Sequence, residues 1–142
     1  MGETSDEAAI MDVIAGEAKA YWDKDYEAWS AFHVQEEYTR RMGWWERGGI
    51  VDRHGWSEIG AAMREHFIRD PNPNPSGAAV RRENVNIRVM GDMAWVTFDQ
   101  HSIDAGEPLM DMPGVSHETR ILERHDGRWR IAYIGYLLEP GG

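Results

Sequence analysis

Residues 116–138, Ser-His-Glu-Thr-Arg-Ile-Leu-Glu-Arg-His-Asp-Gly-Arg-Trp-Arg-Ile-Ala-Tyr-Ile-Gly-Tyr-Leu-Leu, constrain the fold more than any other stretch, because they read as one long β-hairpin. Two runs rich in β-branched and aromatic residues flank Asp126-Gly127, a pair suited to the positive φ of a tight turn. Loop length decides which side chains share a face. A two-residue loop sets His125 opposite Arg128 and puts Glu123 and Arg130 with Ile121 and Ile134, so neither face is cleanly apolar. A three-residue loop with Gly127 as a bulge residue pairs Arg124 with Arg128. That register gathers Thr119, Ile121, Trp129, Ile131, Tyr133 and Leu137 on one face and Glu118, Arg120, Arg124 and Arg130 on the other. Because a one-residue slip exchanges the faces, the register that separates polarity is the expected one. His117 then lies on the apolar face with Gly135 about opposite, as at the end of a pocket.

Composition narrows the partners. The chain has 142 residues, the size of one domain with a core of its own, so residues 1–142 are read as a single domain. Lys plus Arg number 15 and Asp plus Glu 25, and the net charge of −10 argues against a nucleic-acid backbone or an anionic membrane as natural partner. Without cysteine there is no disulfide framework, thiolate nucleophile or Cys-ligated zinc. The acidic start, Met-Gly-Glu-Thr-Ser-Asp-Glu, followed by an amphipathic helix, is the reverse of a signal peptide, and no apolar run approaches the ~20 residues of a membrane span. A cytoplasmic protein is the expectation. Seven Trp, five Tyr and eight Met suit a cavity for an apolar small molecule, or simply a dense core.

Met11, Ile14, Ala18 and Tyr21 recur at helical spacing, widened by Ile10 and Trp22, and predict a helix over about residues 5–22. Asp25 can cap a second, short helix with Ala28, Trp29 and Phe32 as its apolar positions. Alternation over 37–45 predicts a strand with Tyr38, Arg40, Met42 and Trp44 on one face, and Gly48-Gly49 turns the chain back through Ile50 and Val51. Trp56, Ile59, Met63 and Phe67 mark a third helix, stopped by Asp70 and the prolines after it. Residues 80–90 and 93–103 form a second hairpin about Gly91-Asp92. On its core side lie Val85, Ile87, Val89, Ala94, Val96 and Phe98, extended by Glu83 and Gln100, while Asn84, Asn86, Thr97, Asp99 and His101 point away. The connection over 104–115 is long enough to be a lid or a plain surface loop. The order ααββαββββ, with helices segregated to one face of an antiparallel sheet, is that of an α+β domain.

Three stretches carry a resemblance: Lys24-Asp25-Tyr26-Glu27-Ala28-Trp29, Gly91-Asp92-Met93-Ala94-Trp95-Val96, and Glu118-Thr119-Arg120-Ile121-Leu122-Glu123 with Asp126-Gly127-Arg128-Trp129-Arg130-Ile131. With them the chain resembles the cone-shaped fold of the nuclear transport factor 2 superfamily, in particular its SnoaL-like and ketosteroid-isomerase-like bacterial members. The resemblance implies three helices packed on a strongly curved antiparallel sheet, and a cavity between the two for small apolar molecules. Some members catalyse isomerisation, dehydration, ring closure or epoxide opening there; others only bind or assemble. The isomerases carry an acid on the first strand where this chain has Arg40, and a tyrosine on the first helix where the region of Gly16 and Glu17 has none, so their chemistry by the same residues is not expected. Scytalone dehydratase, which works through histidines and tyrosines, is matched loosely by His117, Tyr38 and Tyr21.

The candidate catalytic residues are His117, whose imidazole titrates near neutrality, and Glu83, whose carboxyl on an apolar face has a raised pKa unless Arg40 pairs with it. The plainer alternatives are a hydrogen-bonded strand-end histidine and a structural ion pair. Tyr38, Arg40, Met42, Trp44, Gln100 and Tyr133 are the expected lining, closed from the helices by Trp22, Trp29, Met63 and Phe67, although core packing is the simpler role for each helix residue. His33, His54, His66 and His125 read as solvated. No HxH, HExxH, GxGxxG or GxSxG pattern occurs, and a metal-free, cofactor-free site is expected. Trp95, Thr97, Asp99, His101, Asn86, Arg120, Ile134 and Tyr136 make an outer sheet face of mixed character, suited to a homodimer. An apolar or aromatic small molecule is the expected ligand.

Overall fold

The chain runs α1 (Glu3–Asp23), α2 (Tyr26–Ala31), β1 (Arg40–Trp45), β2 (Gly49–His54), α3 (Trp56–Arg69), β3 (Arg81–Met90), β4 (Met93–His101), β5 (Val115–His125) and β6 (Arg128–Leu138). The computed structural model describes residues 3–74, 80–101 and 114–140. The order is the one expected from the sequence. Asp25 caps α2 by accepting a hydrogen bond from the Ala28 amide at 3.1 Å. A helix of six residues is too short to stand alone. Trp29, fully buried among Ala20, Ile59, Met63 and Phe67, ties it down between α1 and α3.

The strands form one sheet in the order β2-β1-β6-β5-β4-β3. Its pairings are antiparallel except for β1 with β6, where a parallel register sets Arg40 beside Tyr133 and Arg41 beside Ile134. Helices α1 and α3 cover one face of this curved, open sheet, α1 lying on β6 and β3 and α3 on β1 and β2. The fold class is α+β, as expected. Under α1 the core is Ile10, Ile14, Val96, Phe98, Leu122, Trp129 and Ile131. Among the described residues no helix is long and apolar enough to cross a membrane. Of the 104–115 connection, read as a candidate lid, only Gly114 and Val115 fall among the described residues.

Three details of register correct the sequence reading. First, the β5–β6 turn is the two-residue one: His125 faces Arg128, and Asp126 and Gly127 have φ of 53° and 77°. Positive φ at both central positions is what a type I′ turn requires, and its twist matches that of the strands. A bulge then puts Ala132 out of step, since Ile121 faces Tyr133 and Leu122 faces Ile131. The bulge inverts the alternation of β6, so Trp129 and Ile131 share the helix side with Ile134, Tyr136 and Leu138. Ser116, Glu118, Arg120 and Leu122 stand opposite them; His117, Thr119 and Ile121 face out.

Second, β3 is irregular between Glu83 and Asn86, with Asn84 at φ 54°. Past this bulge Glu83 pairs with Asp99 on the outer face, and Arg82 takes the inner position beside Gln100. Third, β1 is reversed. Arg40, Met42 and Trp44 face outward, and Arg41, Gly43 and Trp45 face the helices. Glycine is required at Gly43, because a Cβ there would lie 2.3 Å from the Tyr136 ring.

Candidate ligand cavity

Between α1 and the inner face of the sheet lies a cavity of about 270 Å³. Tyr21 and Trp22 reach it from α1, Trp45 from β1, and Ile134, Tyr136 and Leu138 from β6; Glu17, Arg41, Gln100, Ser116, Glu118 and Arg120 bring polarity to the same wall. Glu17 is held from behind: its Oε2 accepts hydrogen bonds from Trp29 Nε1 at 2.9 Å and from His33 Nε2 at 3.2 Å. Burial alone would raise this carboxyl. The His33 hydrogen bond and charge, with the guanidiniums of Arg120 and Arg41, bring it instead down to about 2. Glu17 is therefore a carboxylate at any physiological pH, and its Oε1 accepts no hydrogen bond among the described residues.

Glu118 and Arg120, 7% and 8% exposed, form an ion pair of 2.8 Å, and Arg120 Nη1 also donates to the Thr119 carbonyl at 3.0 Å. Among the described residues its Nε is buried without a partner. Arg82 repeats the pattern, with an Nε unpartnered among the described residues and with its guanidinium 5.8 Å from the centre of the Phe98 ring that Arg120 covers at 5.4 Å. Burial and the like charge of Arg120 depress the Arg82 pKa. Arg41 stacks 5.4 Å from the centre of Tyr136, and among the described residues its guanidinium makes no hydrogen bond or ion pair. Burial pushes the Tyr21 phenol above its ordinary value.

The residues expected as catalysts are not in this cavity. His117 stands on the outer face, where Nδ1 donates to Asp99 Oδ1 and Nε2 to Glu139 Oε2, both at 2.7 Å. The Asp99 hydrogen bond first, then that of Glu139, raises its pKa. Glu83, also outside, pairs with Arg81 at 2.8 Å. It cannot meet Arg40, because β6, β5 and β4 separate their strands. Arg40 instead makes a two-pronged ion pair with Asp52, at 3.1 and 3.0 Å. Met42, Trp44 and Tyr133 line an open groove on the outer face with His117 and Asp99. Tyr38 precedes β1, is 58% exposed, and donates to Glu123 at 2.6 Å. Trp29 and Met63 are core residues, as the simpler reading had it. Of the expected lining, Gln100 lies in the cavity, and Trp22 lines it from α1.

Sequence reasoning missed Glu17, Arg41, Glu118 and Arg120, and it took His33 for a solvated residue although it is 2% exposed. A signal existed for Glu17. It follows Ile14 by three residues and precedes Tyr21 by four, so it interrupts the apolar stripe of α1. Glu118 and Arg120 alternate with apolar residues in a strand whose face turns on the length of the β5–β6 loop, and Arg41 follows Arg40 in a strand whose parity the sequence reading reversed. His117, Asp99 and Glu139 cluster, yet among the described residues no group of three His, Asp or Glu side chains is placed to hold a metal ion.

Comparison with known proteins agrees with the architecture. A nuclear transport factor 2-like protein of unknown function from Shewanella oneidensis is 20% identical, with 92% of this chain and 98% of that one covered at a TM-score of 0.65. A protein of unknown function with a cystatin-like fold from Nostoc punctiforme is 16% identical, covering 97% and 94% at a TM-score of 0.69. A candidate dehydratase of the nuclear transport factor 2-like family from Streptomyces avermitilis is 14% identical, covering 96% and 97% at 0.65. At these identities the likeness is one of fold. No curated protein matches the chain. A family model does, over residues 10–136, and by that match the chain belongs to the SnoaL-like domain family.

Proposed function

We propose that the protein binds a small organic molecule in the cavity between α1 and the sheet, and that this cavity is its working site. One observation carries the reading: an opening of about 270 Å³ walled by aromatic rings, with charged side chains fixed at its surface. Apolar walls with a few convergent polar groups are how proteins hold small molecules. Binding is favoured over catalysis, because a general base works best with a pKa near the working pH and Glu17 is held at about 2. Acid/base isomerase, cyclase or dehydratase chemistry on an apolar cyclic substrate is the second reading. It is favoured by Oε1 of Glu17, which accepts no hydrogen bond among the described residues and is the carboxylate atom that would take a substrate proton.

Thermal denaturation against one- and two-ring aromatic molecules tests binding: at least one should raise the melting temperature, and a Tyr136→Trp variant that fills the cavity should lose the response. No rise with any of them would contradict the reading. Turnover of a bound compound by native protein, lost in Glu17→Gln, would establish the second reading over the first. We propose further that two copies pair through the outer sheet face, which exposes Trp95, Leu137 and Ile50 by 40%, 60% and 82%. Sedimentation should give a dimer that Trp95→Glu dissociates; a monomer at every concentration would refute the pairing.

A further inference from the structure

The charged groups in the cavity wall are unevenly satisfied. Among the described residues the wall carries two carboxylates, Glu17 and Glu118, and two guanidiniums, Arg41 and Arg120, with Arg82 beside Arg120 over the Phe98 ring. The carboxylates are already engaged, Glu17 by His33 and Trp29 and Glu118 by Arg120. The guanidiniums are satisfied only in part, Arg120 holding Glu118 and the Thr119 carbonyl through Nη1 alone. Among the described residues Arg41 lies against the face of Tyr136 and makes no hydrogen bond or ion pair, with the charges of Glu17 and Glu118 acting on it from further off, and the Nε atoms of Arg82 and Arg120 are buried without acceptors. Arg120 is 91% buried and lines the cavity, so an unmet donor there has no bulk water to turn to.

A planar fork of donors with no partner matches a planar pair of acceptors, and a carboxylate is the group that meets a guanidinium on two prongs. Arg41 is the guanidinium of the wall that has no hydrogen-bond or ion-pair partner among the described residues, so it has room for one such group. Tyr21, Trp22, Trp45 and Tyr136 offer flat surfaces to the rest of the molecule. At about 270 Å³ the cavity is just below the ~300–1,000 Å³ usual for drug-sized ligands, which limits the occupant to one or two fused rings. We propose that the cavity takes an aromatic or cyclic monocarboxylate, its carboxylate received by Arg41 and its ring held against Tyr136 and Trp45. This rests on the reading of the cavity as the binding site and adds the charge of the ligand to it.

Calorimetry on the full chain with 2-naphthoate and its neutral isostere 2-naphthamide separates the two claims. The expected result is that native protein binds the acid roughly tenfold or more tighter than the amide, the least that one charge-assisted hydrogen bond of ~1.5–3 kcal/mol would give. Arg41→Gln should then bind acid and amide alike. Equal affinity of native protein for the two probes overturns the monocarboxylate proposal and leaves the cavity reading standing. A preference for the acid that survives Arg41→Gln overturns the assignment of Arg41. Binding of neither probe at millimolar concentration overturns both claims. The native ratio of acid to amide needs no variant, so the monocarboxylate claim is tested even where an Arg41 variant does not fold.

Discussion

Two carboxylate–imidazole pairs stand on opposite faces of the same sheet, and they are chemically alike but physically different. Glu17 and His33, 6% and 2% exposed, are joined at 3.2 Å behind the cavity. Asp99 and His117 are joined at 2.7 Å on the outer face, where their side chains are 28% and 47% exposed. The outer pair is shorter, yet water screens it, and a surface pair of this kind contributes between nothing and about 1 kcal/mol. The inner pair has no solvent to replace a lost partner. Breaking a buried pair costs about 3–5 kcal/mol, because a charge or a donor is left stranded. Depth, rather than bond length, decides which histidine pair the fold depends on, and the same depth makes the inner wall able to read the charge of a ligand.

The largest expected effect is therefore at Glu17. Glu17→Ala strands the Trp29 indole N–H and the His33 ring, and should destabilise by about 3–5 kcal/mol in urea denaturation. A cost no greater than that of His117→Ala would break the contrast between the faces. Next comes Gly43→Ala, whose Cβ falls 2.3 Å from the Tyr136 ring. Overpacking of this sort costs about 1–3 kcal/mol, and it should also push Tyr136 into the cavity and abolish ligand-induced stabilisation. The outer groove, lined by Gly43 as well, would be little altered. Gly127→Ala, at φ 77° with open space around it, tests the turn that sets the faces: strain alone should cost about 1–2 kcal/mol, with the cavity intact.

Smallest is the outer pair, and its signature is pH. The His117 pKa is raised from 6.5, so its contribution is fully present below that value and is lost as pH rises through the higher, folded value. His117→Gln should thus be less stable than native at pH 5.5, by well under 1 kcal/mol given its exposure, and indistinguishable from native at pH 9. The inner carboxylate behaves oppositely. Glu17 falls from 4.5 to about 2, so its contribution is complete above 4.5 and disappears as pH drops toward 2. Native protein and Glu17→Gln should converge in stability only in strong acid, as denaturation curves across pH would record.

The elements were legible in the sequence because each rests on local chemistry. The Asp25 cap, the Gly91-Asp92 and Asp126-Gly127 turns, and the spacing of Ile59, Met63 and Phe67 act over a few residues. Together they recovered the order of helices and strands, and with it the family. The site was less legible because strand faces propagate over long distances. One bulge at Ala132 and another at Asn84 each invert the alternation, and a single wrong turn length does the same. Polarity then misled. Separating charged from apolar residues is sound for an ordinary core, whereas this interior holds Glu118 and Arg120 as a pair and Arg41 against Tyr136. His117 and Glu83 were the attractive candidates because they are lone ionisable residues among apolar ones; the residues that line the cavity are ionisable residues in company.

The indole N–H resonances of the tryptophans report both faces in a single spectrum. Trp22 and Trp45 line the inner cavity, while Trp44 lines the outer groove and Trp95 is 40% exposed on β4. Titrating 15N-labelled native protein with 2-naphthoate should move the Trp22 and Trp45 signals along a saturable curve and leave those of Trp44 and Trp95 in place. Movement of Trp44 and Trp95 with Trp22 and Trp45 unchanged would put the ligand on the outer face beside His117 and contradict the inner cavity as the working site.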